Sequence, residues 1–333
     1  METDATFMTR AIEVAERARY RSSPNPWVGA VVVADGCVVG TGATSPPGGA
    51  HAEVVALADA GDQARGATLY TTLEPCCHEG KTAPCTSVIA EAGISRVVAA
   101  VTDPDPDVAG GGFAALAEAR IGVDAGIEAG AVEEQLLPYL THRRTGLPYV
   151  VLKLAATLDG RIAATDGSST WITGPEARQD VHRLRAQSDA ICVGAGTIRA
   201  DDPRLTVRDW PGAEAAAARD PRRVVLGAIP EGAEVMPAES HEGPLEDLLV
   251  DLAGDGVLQL LVEGGADVAG RFHRAGLVDR YVIYIAPAIL GGDDSVPMMT
   301  GPGGTTMADV ARGSFTTVIR LGGDLRIDMV SDT

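Results

Sequence analysis

The sequence predicts an α/β fold in two domains, and three observations carry that reading. The chain has 333 residues, and at ~100–200 residues per domain this length suggests two. A hydrophobic fraction of 45% is typical of a globular chain and excludes wholesale disorder. Short apolar runs of strand character alternate with helical stripes in both halves, the pattern of helices covering a sheet.

The elements follow in order. Phe7, Ala11, Ile12, Ala15 and Ala18 form a helical stripe over Thr6 to Arg21, which Ser23-Pro24-Asn25-Pro26 ends as a turn. Val28 to Val33 and Cys37 to Gly40 flank Asp35-Gly36, a hairpin signal. A Gly/Pro loop, Ser45 to Gly49, leads to His51-Ala52-Glu53 and a helix ending at Ala60. Ala67 to Thr72 reads as a strand, Thr86 to Ala92 as a helix closed by Gly93, Arg96 to Val101 as a strand and Phe113 to Arg120 as a helix. The polar segment Thr141 to Pro148 reads as a linker, dividing the chain into 1–145 and 146–333. Beyond it, Tyr149 to Ala155, Ala190 to Val193, Arg223 to Leu226, Val257 to Val262 and Arg280 to Ile285 are expected strands. Pro175 to Gln187 and Ala266 to Ala275 are expected helices, and Ser314 to Val330 forms two strands around Gly322-Gly323. The Ala-rich run Asp209 to Asp220 predicts least.

Charge and composition narrow the function. The net charge is −19, with 10 basic and 19 acidic residues up to Thr145 and 17 against 27 afterwards. Neither half offers the broad positive face that a nucleic-acid backbone requires. A few converging Arg or Lys side chains can still hold a small anion. The longest apolar run, Tyr281 to Leu290, is broken by Pro287, so no membrane span is expected. The N-terminus starts acidic and does not read as a signal peptide. Five cysteines are too few, and odd, for a secreted disulfide framework; a cytoplasmic protein with a metal site fits better.

Two compositional singularities point to the chemistry. The chain has 25 Arg but only two Lys, Lys81 and Lys153, and a single Asn, Asn25. Lys is a compact point charge with rotatable donors, and Asn offers donor and acceptor together, so the survivors are candidates for positions where replacement fails, with chance as the alternative.

His51-Ala52-Glu53 is followed by Glu74-Pro75-Cys76 and, nine residues after Cys76, by Cys85. One His and two Cys supply three ligands for a tetrahedral zinc ion that keeps a fourth position for water. Zinc lowers the pKa of such a water towards ~7. Glu53, which must not ligate, is the candidate to carry the proton from water to a ring nitrogen and then to the departing amine. This is the H-x-E…P-C signature of zinc nucleobase deaminases, with eight residues rather than two between the cysteines. Pro75-Cys76 is expected to start a helical turn whose N–H groups stabilise the thiolate. Two alternatives stay open: a closed structural zinc site completed by Cys77 or His78, and a chance grouping without metal. Cys37 and Cys192 lie in apolar strands and read as core.

The segment Thr72-Leu73-Glu74-Pro75-Cys76-Cys77-His78-Glu79-Gly80-Lys81-Thr82-Ala83-Pro84-Cys85, with Pro24-Asn25-Pro26-Trp27-Val28-Gly29 upstream, resembles the deaminase half of the bifunctional riboflavin biosynthesis protein RibD family. The resemblance implies a cytidine-deaminase-like αβα domain, zinc on His51, Cys76 and Cys85, catalysis by Glu53, and substrate contacts from Asn25, His78 and Lys81. Asp105 stands where the family commonly has Asn. The second half continues the likeness through Lys153-Leu154-Ala155-Ala156-Thr157-Leu158-Asp159-Gly160-Arg161, Ser169-Thr170-Trp171-Ile172-Thr173, Val193-Gly194-Ala195-Gly196-Thr197, 200–208 and Val262-Glu263-Gly264-Gly265-Ala266. It implies a dihydrofolate-reductase-like α/β domain. NADPH would lie against Ala155, Trp171, Thr197, Asp201 and the run Gly265, Ala266, Asp267, Val268, Ala269, Gly270 and Arg271. Lys153, Ser169, Arg185, Leu205, Arg208 and Glu263 would hold the substrate. The family deaminates 2,5-diamino-6-(5-phosphoribosylamino)pyrimidin-4(3H)-one and then reduces its ribosyl group to ribityl with NADPH. A homo-oligomer, a dimer through the C-terminal sheet, is expected by the same likeness.

The residues alone agree in part. Glycines after the strand ending at Val262 let backbone N–H groups approach a pyrophosphate at a helix start, although Gly-Gly after a strand is also an ordinary turn. Gly194-x-Gly196 lacks the third glycine of the Rossmann fingerprint, which disfavours a doubly wound domain. Trp171 reads equally as a core aromatic and Arg185 as a solvated charge. Rival functions are a deaminase of nucleic acid or free nucleosides, disfavoured by the charge, the Lys81 loop and the second domain, and a zinc-stabilised protein that senses a nucleotide.

Overall fold

The computed structural model describes residues 3–79, 83–210 and 219–331. It divides into two compact units, Met1–Leu147 and Pro148–Thr333.

The first unit is built on a five-stranded sheet. Its strands are β1 (Gly29–Ala34), β2 (Cys37–Ala43), β3 (Thr68–Leu73), β4 (Arg96–Val101) and β5 (Gly122–Ala125), in the order β2-β1-β3-β4-β5. β1 runs antiparallel to β2 and β3, whereas β3, β4 and β5 are parallel. Helices α1 (Asp4–Ala15), α2 (Ala52–Ala60), α3 (Cys85–Glu91), α4 (Gly111–Glu118), α5 (Ala129–Gln135) and α6 (Leu137–Thr145) complete the unit. A Cβ on Gly29 would come within 2.0 Å of the Ala11 carbonyl of α1, and one on Gly42 within 2.2 Å of the Ala52 carbonyl of α2. Gly42 pairs with Ala30, the neighbour of Gly29. Since successive strand residues face opposite ways, α1 and α2 cover opposite faces, giving three layers. The bare glycine surface lets α2 lie directly on β2.

Several local expectations need correction. The first helix stops at Ala15, with turns continuing to Arg21. The expected linker is mostly helix: α6 carries Pro138 in its first turn and His142, Arg143 and Arg144 in its last, and Gly146 caps it at φ 73. Those are helix-boundary signals that outweigh a polar composition. Cys37 is exposed, not core, because it is the first residue after the Asp35-Gly36 turn. Cys192 is buried as expected.

The second unit holds an eight-stranded sheet. Its strands are β6 (Tyr149–Thr157), β8 (Ala190–Gly194), β9 (Arg222–Leu226), β10 (Glu239–His241), β11 (Gln259–Val262), β12 (Arg280–Ala286), β14 (Gly313–Leu321) and β15 (Asp324–Ser331). The order is β10-β9-β8-β11-β6-β12-β15-β14, parallel from β10 to β12 and antiparallel from there to β14. β7 (Arg161–Ala163) and β13 (Val296–Pro297) form a separate two-stranded ribbon. Its helices among the described residues are α7 (Pro175–Ala186), α8 (Ala195–Asp201), α9 (Leu245–Gly254) and α10 (Ala266–Arg274). α9 falls in a stretch without an expected element, yet Leu245, Leu248, Leu249 and Leu252 form its buried stripe, a spacing the sequence does display. At the sheet edge, β14 exposes Phe315, Val318 and Ile319.

Candidate active sites

In the first unit, helix starts and a loop converge beyond the end of β3. His51 precedes α2, and Glu53 lies in that helix's first turn. Cys76 sits in the loop after β3, and Cys85 opens α3. Cys76 Sγ is 3.5 Å and Cys85 Sγ 3.3 Å from His51 Nδ1. These three groups lie within 4.8 Å of one another and form the one such cluster of three or more metal-ligating side chains among the described residues. A tetrahedral zinc with Zn–S of ~2.3 Å and Zn–N of ~2.0 Å separates its S and N ligands by about 3.5 Å, so the triangle fits the ion. Neither Cys77 nor His78 joins it. The Cys77 thiol points to the Asp107 carbonyl at 3.8 Å, and His78 is exposed.

The expected helical turn at Pro75-Cys76 is absent. The helix opens instead at Cys85, whose backbone N–H donates to Cys76 Sγ at 3.4 Å. Hydrogen bonds from the Cys85 thiol, from His51 and from that amide hold Cys76 down at about 4. The same contact with Cys76, reinforced by burial, pushes Cys85 up, so the pair's remaining proton resides there. Glu53 is 4% exposed. Burial pushes its carboxyl up to about 7, against the pull of His51 and the Cys85 thiol. A carboxyl poised near neutrality is suited to proton transfer.

Asn25 is half-buried in a turn closed by its own N–H to the Ser22 carbonyl at 2.9 Å, and its side-chain amide has no hydrogen-bond partner among the described residues. Lys81 lies outside the described residues. Sequence reasoning passed over Glu74. It is 3% exposed and accepts the backbone N–H groups of Asp103, Gly110, Gly112 and Phe113 at 2.9–3.2 Å. A Cβ on Gly112 would strike the Pro75 carbonyl at 2.1 Å, so the loop before α4 is clamped to the backbone next to Cys76. An acid directly before Pro-Cys at a strand end was the available signal.

In the second unit, candidate residues gather beyond the ends of the parallel strands β8 and β11, beside Lys153 of β6. Glu263 follows β11 and donates its backbone N–H to the Cys192 carbonyl at 3.0 Å. Its side chain, 7% exposed, accepts two bonds from Arg185 at 2.7 and 3.0 Å and lies 3.7 Å from Lys153 Nζ. Burial would raise this carboxyl, but Arg185 and Lys153 hold it down at about 2. Burial also lowers Lys153, outweighing Glu263. Arg185 is therefore a buried ion-pair partner rather than a solvated charge. Lys153 and Ala155 share one face of β6, both half-buried.

Gly264 and Gly194 are required for packing: a Cβ on either would meet Val268 at 2.4 or 2.8 Å. Gly265 caps α10, and a Cβ there would meet only the Thr197 hydroxyl at 3.6 Å, while nothing lies within 4 Å of one on Gly196. Open backbone at a helix start in this form accepts a dinucleotide phosphate. Of the α10 residues, Ala266, Val268, Ala269 and Gly270 are buried, Asp267 is exposed and Arg271 half-buried. Asp201 is exposed at the end of α8. Trp171 is 74% exposed with the Arg178 guanidinium 4.7 Å from its ring centre, so it is not a core aromatic. Ser169 is half-buried and Arg208 exposed. Buried Leu205 adopts φ 52, a left-handed conformation rare outside glycine, at the turn that leads into Thr206.

Residues 1–101 match the cytidine and deoxycytidylate deaminase zinc-binding region, and residues 148–324 match the RibD C-terminal domain. The chain is 39% identical to riboflavin biosynthesis protein RibD of Escherichia coli, covering 98% of this chain and 99% of that one. It is 43% identical to RibD of Mycobacterium tuberculosis over 97% and 96%. The structure superposes on Acinetobacter baumannii RibD with a TM-score of 0.92 at 37% identity, covering 98% of each chain. A Thermotoga maritima structure, a diaminohydroxyphosphoribosylaminopyrimidine deaminase/5-amino-6-(5-phosphoribosylamino)uracil reductase, gives 0.88 at 34% over 98% of each. Zinc and NADPH are accordingly the cofactors. The chain belongs to the riboflavin biosynthesis protein RibD family, as a bifunctional enzyme with a deaminase domain and a reductase domain.

Proposed function

We propose that the first unit, taken as 1–145, deaminates 2,5-diamino-6-(5-phosphoribosylamino)pyrimidin-4(3H)-one, and that the second, 146–333, reduces the ribosyl group of 5-amino-6-(5-phosphoribosylamino)uracil to ribityl. The supporting observation is the His51, Cys76 and Cys85 triangle beside a buried carboxyl, Glu53, that stays outside it. Those three residues would hold zinc, which when bound supplies Lewis acidity that acidifies water. Glu53 takes a proton from the attacking water and delivers it to the ring nitrogen, then carries the proton of the newly added hydroxyl to the departing amine as the carbonyl forms. The amide of Asn25 reads a pyrimidine edge by offering donor and acceptor together. His78 and Lys81 contact the ribosyl phosphate or ribose.

In the reductase unit, Ala155, Trp171, Thr197, Asp201 and the run from Gly265 to Arg271 border NADPH, which when bound supplies the hydride for ribose C1′. Ser169, Arg185 and Arg208 bind the phosphate. Lys153 contacts the ribose, Leu205 shapes the turn beside it, and Glu263 holds Arg185 and Lys153 in place. Five unpaired cysteines support a cytoplasmic enzyme. The apolar outer strand β14 supports a dimer through the C-terminal sheet.

Purified zinc-loaded protein given the diaminopyrimidine phosphate should release ammonia and then oxidise NADPH. Ammonia without NADPH oxidation removes the reductase assignment, and no ammonia removes the deaminase assignment.

A further inference from the structure

The reductase unit contains a titratable side chain that none of these roles uses. His182 is half-buried on α7, three residues before Arg185. Its Nδ1 lies 3.1 Å from the Thr206 carbonyl. A carbonyl can only accept, so Nδ1 carries the proton. Nε2 has no hydrogen-bond partner among the described residues. The Thr206 carbonyl also accepts from Arg185 Nη1 at 3.3 Å, and the Thr206 hydroxyl accepts from Arg208 Nη1 at 2.6 Å. One residue thus ties an imidazole with a fixed tautomer between two guanidinium groups.

The charges that act directly on the imidazole come from three elements. α7 supplies Arg185, the segment 202–210 supplies Arg208, and the turn after β11 supplies Glu263. Both Glu263 oxygens are engaged by Arg185, with Lys153 on β6 beyond them. Asp220 faces Arg185 and pairs with Arg223, and exposed Asp209 lies 3.7 Å from Arg208. Arg185 and Lys153 already outnumber the buried carboxylate, and Arg208 adds to the surplus. Burial and the two guanidinium groups keep His182 below its ordinary value, so the imidazole is neutral before substrate arrives. A phosphate dianion would offset this surplus, which allows the free Nε2 to become a donor.

We propose that His182 is a phosphate-contacting residue of the reductase site and that its Nε2 takes up a proton when the phosphomonoester docks between Arg185 and Arg208. The inference rests on the placement of the substrate phosphate at those two arginines. It implies that affinity for phosphorylated ligand is strongest below the bound-state value of His182 and declines as pH rises through it.

The test uses the full-length, zinc-loaded protein and ribose 5-phosphate as competitor of NADPH oxidation, from pH 6.8 to 8.8, where a phosphomonoester with a second pKa of ~6 stays dianionic. The inhibition constant should weaken about tenfold across this range, the scale of one charge-assisted hydrogen bond. His182→Asn keeps a donor for the Thr206 carbonyl but lacks Nε2, and should show the weak, pH-independent constant throughout. Imidazole ¹⁵N shifts of the wild type, with His182 assigned by its missing signal in His182→Asn or His182→Gln, should move from neutral to protonated when ribose 5-phosphate is added at pH 8. An unmoved imidazole, or a His182→Asn profile matching the wild type, overturns the inference. If Arg208→Gln weakens ribose 5-phosphate in that case, the phosphate placement stands and only the role of His182 fails. If unphosphorylated ribose competes as well as ribose 5-phosphate, the placement fails and the inference with it.

Discussion

Each site contains a buried glutamate, Glu53 in the first unit and Glu263 in the second, and these two are driven in opposite directions. Glu53, 4% exposed, has no cation of the protein's own to pair with strongly, and burial raises it to about 7. Glu263, with a side chain 7% exposed, meets Arg185 and Lys153 and is held at about 2. Residue type and depth are nearly the same, so partners decide the role. A buried carboxyl whose partners are too weak to offset burial exchanges protons near neutral pH, whereas one paired with two cations is a fixed negative charge that positions them. The first geometry is suited to moving a proton and the second to fixing cations in place.

The sharpest attempt to break this contrast is Glu53→Gln. Ammonia release should fall by ~10²–10⁴-fold, the usual contribution of a general acid–base, while metal analysis still finds zinc. Activity within tenfold of wild type would remove Glu53 from proton transfer. Glu263→Gln should act on stability instead, because it leaves Arg185 and Lys153 without their buried counter-charge. A loss of ~3–5 kcal/mol in urea unfolding is expected, and a loss near zero would mean that the pair is solvated.

The pH dependence of the zinc-free protein separates the two carboxyls by sign. The folded value of Glu53, about 7, lies above its ordinary 4.5. Its contribution is complete below pH 4.5 and is lost as pH rises through 7. The folded value of Glu263, about 2, lies below 4.5. Its contribution is complete above pH 4.5 and is lost as pH falls through 2. Each amounts to roughly 3 kcal/mol. Glu53→Gln should flatten the neutral limb of the stability profile and Glu263→Gln the acid limb. Exchanged limbs would contradict both assignments.

Two smaller changes test the scaffold of the deaminase side. Gly42→Ala places a methyl group against the Ala52 carbonyl and the Ala56 nitrogen, lifting α2 and with it His51 and Glu53. A loss of ~1–3 kcal/mol is expected, together with weaker zinc retention during dialysis against a chelator. Asp4 accepts from Tyr70 at 2.6 Å and from Arg96 at 2.8 and 3.1 Å, but both ionic side chains are 34% exposed. Asp4→Asn should therefore cost only ~1 kcal/mol at pH 7.

Much of this organisation is legible along the chain. The Asp35-Gly36 hairpin, the strand Arg96 to Val101 and the final hairpin around Gly322-Gly323 rest on turn chemistry and alternation between near neighbours, and the structure contains all three. The helix expected from Thr86 to Ala92 is present and opens one residue earlier, at Cys85, whereas the helical turn expected at Pro75-Cys76 does not form. Cys37 misled because an apolar strand composition says nothing about which end leaves the core.

The sequence by itself determined the α/β alternation and the zinc-ligand types, because the alternation is written between near neighbours and the ligand types in the short motifs His51-Ala52-Glu53 and Glu74-Pro75-Cys76. Tertiary structure alone decided the charge states. Arg185 and Glu263 are 78 residues apart, Glu74 and the Gly112 amide it accepts are 38 apart, and His182 meets Thr206 across 24. The proton affinity of a buried group depends on desolvation and on partners brought from such distances, and neither exists until the chain has folded.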